Sequence, residues 1–478
     1  MSLTQTIIAA FIAVGIGLLL NNDPTCIRAR VRQWLLFLLS LLAVFWLQPS
    51  LPIRYLDFWL PVATLIVTTL SWVVTVPSEL RISIDNLKAV IVIIVTIALL
   101  GVSRYLFEPI LAPSRPPPFL QIVGVIVLAA IFAFIFHRFW RPFLLSAFIV
   151  FLILILVVLK TPAFSQELST ILRTFNAQST ALSSSLDIRW LGFSYIAFRL
   201  IHTIRDRQAG RLPPVTLKEY MTYVVFFPSL TAGPIDRIER FVKELRNPLV
   251  TGSSGWLESG TRFFTGMFKK FVVADSLALI AMNGTNSLQM RGSGWAWILL
   301  YAFAFQIYFD FSGYTDIVIG IARPMGIRLP ENFDKPYLKP NLTQFWNSWH
   351  MTLTQWFRSY YFNPLTRALR SSRRQLPIWM IILISQVTTM LLIGLWHGIT
   401  WNFVLWGLYQ GLGLFFHNRW SEFVKPRWPG AISPSLDRIL RWGGVFITFN
   451  FVAIGWVFFS LPTLELSRHF FSLLFGFS

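Results

Sequence analysis

Apolar runs close to the ~20 residues needed to cross a bilayer recur along the whole chain. The clearest are 3–20, 57–77, 87–103, 119–136, 142–159, 377–396 and 440–461. Shorter or more polar runs lie near 34–47, 188–204, 262–285, 295–322 and 400–417. Window counting then predicts about ten to twelve transmembrane helices, an all-α polytopic membrane protein with re-entrant or interfacial pieces. The first run has neither a basic start nor a small-residue cleavage site, so it is expected to stay in place as a helix. Up to about residue 187 the spans hold few polar residues. From 188 onward, ionisable side chains, Gly and Pro interrupt the apolar segments. Irregular backbone survives at membrane depth only where protein buries it or where it lines a water-filled cavity, so the second half is where function is expected. The proline-rich break at 104–118 suggests a division into N-terminal helices, 1–115, and a functional core, 116–478.

Composition sharpens this picture. Hydrophobic residues make up 55% of the chain and charged residues 13%, with a mean hydropathy of +0.61. Soluble domains carry about 25% charged residues, so too few water-facing side chains are present for a soluble fold. The net charge of +20 is explained by basic loops on one side of a membrane, with no nucleic-acid partner. Loops 21–33, 78–88, 137–142 and 205–219 hold eleven Lys and Arg, against five in 48–57, 104–118 and 160–187. The first set is therefore expected on the cytoplasmic side. Cys26 is the only cysteine, which leaves no internal disulfide and no multi-cysteine metal site.

Six histidines could carry chemistry. His137 sits beside arginines at a run's end, His202 and His417 end apolar runs, and His469 lies near the C-terminus. His350 falls in "FWNSWHMTLTQWF". Read as one helix from about Leu342 to Arg358, this segment places Trp346, Trp349, His350, Leu353 and Phe357 on a single stripe. That histidine could act on a substrate or simply bond a carbonyl. His397 ends a strongly apolar run between Gly394 and Gly398. Residues 377–416 would be twice the length of a span if continuous, so a break near Gly398 is expected. An ionisable residue at membrane depth is a functional candidate, although a packed histidine remains the alternative. Asp310 and Asp316 enter an apolar run, with Ser312, Asp316 and Gly320 on one helical face. An Asp316–Arg323 pair would neutralise one of them. No histidines have metal-ligand spacing, and no phosphate-binding glycine loop is present.

Four stretches then carry a resemblance: "FFPSLTAGPIDRIERF", "YFDFSGYTDIVIGIARPMGIRLPENFDKPY", "FWNSWHMTLTQWFRSYYFNPL" and "LLIGLWHGITWNFVLWGLYQG". In order, and with His350 and His397 47 residues apart, they resemble the membrane-bound O-acyltransferases. The similar branch is the bacterial one that D-alanylates teichoic acid and acetylates alginate. Residues 188–460 match best; the first hundred or so look additional or diverged. The resemblance implies a funnel of tilted helices with both histidines at its floor, His397 as catalytic base and His350 orienting the acceptor or polarising the acyl carbonyl. Trp346, Trp349, Asp310, Ser312, Asp316, Trp396 and Asn402 would line the channel or bind substrate. It implies no bound cofactor; an acyl thioester on a carrier protein or coenzyme A would be co-substrate. Partners would be membrane lipids, an acyl carrier protein on the cytoplasmic side and an extracytoplasmic acyl-transfer protein, with the chain in the plasma membrane. At 347–348 stand Asn and Ser, where family members often carry a basic residue. Competing classes are a flippase or transporter of a lipid-linked glycan, which needs no histidine base and usually shows repeats, and a polyprenyl-phosphate-dependent glycosyltransferase. The latter would want an acidic pair where 48–57 offers Asp57 alone. A family member acting on lipid or protein is a further alternative.

Overall fold

A computed structural model describes residues 1–21, 26–106, 114–248, 252–372, 375–424 and 433–477. Most of the proline-rich break (107–113) and the side chain of Cys26 lie outside the described residues. The described chain is helical. Seven of its helices are long and apolar enough to cross a membrane, and Leu3–Leu19 is a shorter apolar helix. The expectation of a polytopic all-α membrane protein holds. Several of the shorter predicted spans are helices that are shorter, more polar or interrupted.

The chain divides into two compact units, Met1–Phe263 with Val318–Leu329, and Phe264–Ile317 with Pro330–Ser478. In the first, helices α1 (Leu3–Asn21), α2 (Cys26–Trp46), α3 (Leu56–Thr75), α4 (Ile84–Leu106), α5 (Phe119–Arg138) and α6 (Phe143–Lys160) follow in order. After them come the amphipathic α7 (Pro162–Phe175), α8 (Phe193–Gln208), α9 (Leu217–Val224) and α10 (Ile238–Arg246). Of the α3 residues 72% are buried, against 6% of those in α5. Helix α3 is thus the central post, and α5 leaves its apolar face for lipid. Three threonines of α3 answer to their own backbone: Thr64, Thr68 and Thr75 each donate to the carbonyl four residues back. That local bonding lets hydroxyls sit in a buried span without orphaned donors. The irregular segment after α9 is held by Arg199, which donates to the carbonyls of Val224 (2.8 Å) and Ser229 (2.9 Å).

Helices α11 (Ser253–Phe268) and α12 (Ser293–Ala322) contribute to both units. The second unit continues with α13 (Leu342–Trp346), α14 (Met351–Phe357), α15 (Asn363–Arg370), α16 (Ile378–His397), α17 (Trp401–Val424), α18 (Pro434–Ser460) and α19 (Leu464–Phe475). Helices α16 and α17 form a tight hairpin because small residues let their backbones touch. A Cβ on Gly394 would lie 2.3 Å from the Phe403 carbonyl oxygen, and one on Gly407 would lie 2.6 Å from that of Met390.

Candidate active site

The second unit gathers an aromatic chamber in which both candidate histidines sit. His350 is 3% exposed, and its ring meets Phe311 edge-on at 4.7 Å. Trp396 is ring neighbour to both histidines, 6.4 Å from His350 and 4.5 Å from His397. Phe459 closes on His397 at 4.7 Å, and Trp406 at 6.0 Å. Trp349 packs on Trp456 at 5.2 Å and on Phe345 at 5.7 Å. Trp346 stands edge-on to Trp406 at 5.7 Å. His350 is thus sealed by aromatic rings, whereas Trp396 and His397 are partly exposed.

His350 is not inside a helix, contrary to the expected continuous run from Leu342 to Arg358. Helix α13 ends at Trp346, and α14 starts at Met351, with His350 between them at φ 43°, ψ 54°. A left-handed conformation costs a non-glycine residue roughly 1–2 kcal/mol. Tertiary pairing supplies that cost. The "ENFDK" segment runs back along the turn: Phe333 bridges Trp349, the Asp334 N–H donates to Ser348 O (3.0 Å), and the Met351 N–H donates to Asn332 O (2.9 Å). Asn332, fully buried, accepts the Thr352 hydroxyl at 2.6 Å through Oδ1. The expected stripe is nonetheless buried, since Trp346, Trp349, His350, Leu353 and Phe357 all turn inward. Burial pushes the His350 imidazole down to about 3. It is therefore neutral at physiological pH and offers one donor and one acceptor.

His397 is the last residue of α16, and the chain breaks at 398–400 before α17, as the length of the apolar run required. Asn402 is buried at the start of α17. Its Nδ2 donates to Leu461 O at 2.6 Å and to Ser467 Oγ at 3.3 Å, tying the start of α17 to the end of α18.

Ser312 and Asp316 are buried on α12, one residue and five residues beyond Phe311. The expected Asp316–Arg323 pair does not form. Seven residues along a helix separate two side chains by about 10 Å of axial rise. Asp316 instead takes Lys269 Nζ at 2.7 Å, while Arg323 pairs with Glu258. Asp310 pairs with Lys270. Both lysines begin a π-helical segment, Lys269–Ala274, which continues α11. The two helices touch backbone to backbone where Gly266 meets Gly313: a Cβ on Gly266 would lie 2.6 Å from Gly313 O. The paired lysines were visible in the sequence as "FKKF" inside an apolar run. Asn332 and Thr352 carried no such mark.

Beside Trp346 lies a cavity of about 140 Å³ lined in part by Asn347, Thr354, Arg358 and Gln386. Arg358 donates to Asn347 Oδ1 at 2.6 Å, so a guanidinium reaches the position where the sequence itself lacks a basic residue. Among the described residues no three His, Cys, Asp or Glu side chains gather as a metal site.

The family described as membrane-bound O-acyltransferase matches residues 132–463. A teichoic acid D-alanyltransferase of Streptococcus thermophilus is 31% identical over 292 residues, 57% of this chain and 68% of that protein. A protein named probable alginate O-acetylase, from Pseudomonas aeruginosa, is 34% identical over 312 residues, 65% of this chain and 56% of its own length. A peptidoglycan O-acetyltransferase of Helicobacter pylori is 34% identical over 252 residues, 52% of this chain and 44% of that protein. The chain thus spans between under half and about two thirds of these relatives. With both histidines and the aromatic chamber inside the matched region, the chain belongs to the membrane-bound O-acyltransferase family.

Proposed function

We propose that the protein moves an acyl group, acetyl or D-alanyl, from a thioester onto a hydroxyl of an extracytoplasmic envelope polymer. The observation that carries this reading is the pair of histidines sharing Trp396 as a ring neighbour within one aromatic cluster, His350 buried and His397 partly exposed. In the proposed reaction His397 removes the proton from the acceptor hydroxyl. The freed oxygen attacks the thioester carbonyl, giving a tetrahedral intermediate. That attack forms the ester C–O bond; collapse of the intermediate restores the C=O and breaks the C–S bond, and the proton passes from His397 to the departing sulfur. No net proton is gained or lost. Base assistance of this kind contributes ~10²–10⁴-fold. His350, held neutral by burial, acts as a hydrogen-bonding group that orients the acceptor or polarises the acyl carbonyl. The fixed left-handed turn aims it without rearrangement during the reaction.

The named relatives act on teichoic acid, alginate and peptidoglycan, which supports an envelope polymer as acceptor here. The donor would be an acyl carrier protein or coenzyme A on the cytoplasmic side of the plasma membrane, with an extracytoplasmic partner completing transfer. The test is mass spectrometry of ester-linked acyl groups released from cell-surface polymer. Wild-type protein is compared with His397→Ala at matched membrane abundance. Loss of the esters supports the reading, and the released acid identifies the acyl group. Full acylation by the variant would leave His397 a packing residue and overturn the mechanism.

A further inference from the structure

Helices α3, α4 and α5, which lie almost wholly before the family match, enclose an apolar groove of about 270 Å³. Leu65, Thr69, Ile97 and Ala129 are among its walls. The Thr69 hydroxyl is occupied by Leu65 O at 2.8 Å, so the wall offers a ligand hydrocarbon contact only. All three helices are of membrane-spanning length and apolarity. The molecules surrounding such a groove are lipids.

Basic side chains lie just beyond one end of the groove. Val73, Val90 and Ala133 line that end, and His137 lies one helical turn past Ala133. Three residues past Val73, the Val76 carbonyl accepts Arg81 Nε at 2.9 Å. Arg81 Nη1 sits 3.2 Å from His137 Nδ1. The turn carrying Arg81 is itself fixed, because Asn86 Nδ2 donates to Leu80 O (2.8 Å) and Arg81 O (3.2 Å). Arg81 is only 8% exposed, yet it pairs with no carboxylate among the described residues. Burial and the nearby Arg207 cation both lower its pKa. A buried guanidinium facing further basic groups is costly until an anion joins it.

We propose that the groove and the Arg81–His137 pair form a binding site for one anionic phospholipid, its acyl chain between α3, α4 and α5 and its phosphate on Arg81 and His137. The loops that supply Arg81, His137 and Arg207 are among those whose excess of Lys and Arg predicts a cytoplasmic location. Anionic lipids attract basic segments at that leaflet. Charge and hydrocarbon thus meet in the order that a phospholipid presents them.

The full chain, purified in detergent, is incubated with phosphatidylglycerol or phosphatidylcholine, and bound lipid is counted by native mass spectrometry. One phosphatidylglycerol is expected per chain. Arg81→Gln and His137→Gln each weaken its retention at least about tenfold, the loss of one charge-assisted contact. Ala129→Phe, which fills the groove, does the same. Arg138→Gln removes a neighbouring charge whose guanidinium lies over Phe139, and it leaves retention unchanged. Inorganic phosphate does not compete. Equal retention by wild type and both pair variants overturns the site. So does equal affinity for phosphatidylcholine, or displacement by phosphate alone. His137→Gln keeps the test decisive if Arg81→Gln fails to fold, because His137 makes no backbone contact comparable to Arg81–Val76.

Discussion

Replacing Asn332 with alanine should disable the site without touching either histidine. In the native turn Asn332 Oδ1 accepts the Thr352 hydroxyl at 2.6 Å and the Thr352 N–H at 3.4 Å, in a fully buried position. Withdrawing the acceptor from two buried donors costs about 1–3 kcal/mol. The left-handed His350 adds its own roughly 1–2 kcal/mol of strain, which the native pairing holds in place. Together these terms favour relaxation of 347–350 toward the continuous helix that local periodicity prefers. The imidazole would then rotate away from Trp396 and Phe311. With the protein in lipid nanodiscs and a soluble thioester donor, kcat for acyl transfer should fall about 10²-fold, as expected for ångström-scale misplacement. Donor KM should change far less. Thr352→Val, which removes the hydroxyl at similar volume, should reproduce most of the effect. His350→Asn separates the turn from the ring, because asparagine tolerates the left-handed region. It should keep the thermal midpoint while losing activity. Wild-type kcat in Asn332→Ala would refute the view that this pairing aims His350.

Packing and charge make further outcomes testable. Gly394→Ala should push α17 away from α16, since its Cβ would lie 2.3 Å from Phe403 O; a thermal-unfolding series should show a loss of about 1–3 kcal/mol together with lower activity. Gly443→Ala, with nothing within 4 Å of the new methyl, should be neutral or slightly stabilising in the same series. Lys269→Met removes the ammonium from the largely buried Asp316 carboxylate and should destabilise the protein, whereas Lys269→Met combined with Asp316→Leu should recover part of the loss. A double-mutant cycle on the unfolding midpoint checks this, and strict additivity would argue against the ion pair.

The sequence made the membrane class, the main spans and the break after His397 legible, because each rests on local hydropathy and length. It also identified Trp346, Trp349, His350, Leu353 and Phe357 as buried, though not Ser348 and Thr352 beside them. It did not reveal that the chain reverses at His350. The left-handed turn there is held by residues 332–334, and no local propensity encodes pairing across that distance. Helical arithmetic put Arg323 on Asp316's face but not within reach, and it ignored a cation arriving from another helix. The π-helical segment that delivers Lys269 and Lys270 depends on the close approach at Gly266 and Gly313, a tertiary fact. The resemblance offered Asn402 as a channel or substrate residue, and no sequence signal showed that its Nδ2 ties α17 to Leu461 and Ser467.

The role given to His397 is settled by single-turnover transfer in proteoliposomes. A radiolabelled acyl thioester and a hydroxyl acceptor are supplied to the wild type and to His397→Ala. Thiol release and ester formation are followed together. Removal of the base should slow both ~10²–10⁴-fold, leaving thioester affinity intact. Ester formation at the wild-type rate in His397→Ala would contradict proton removal by His397.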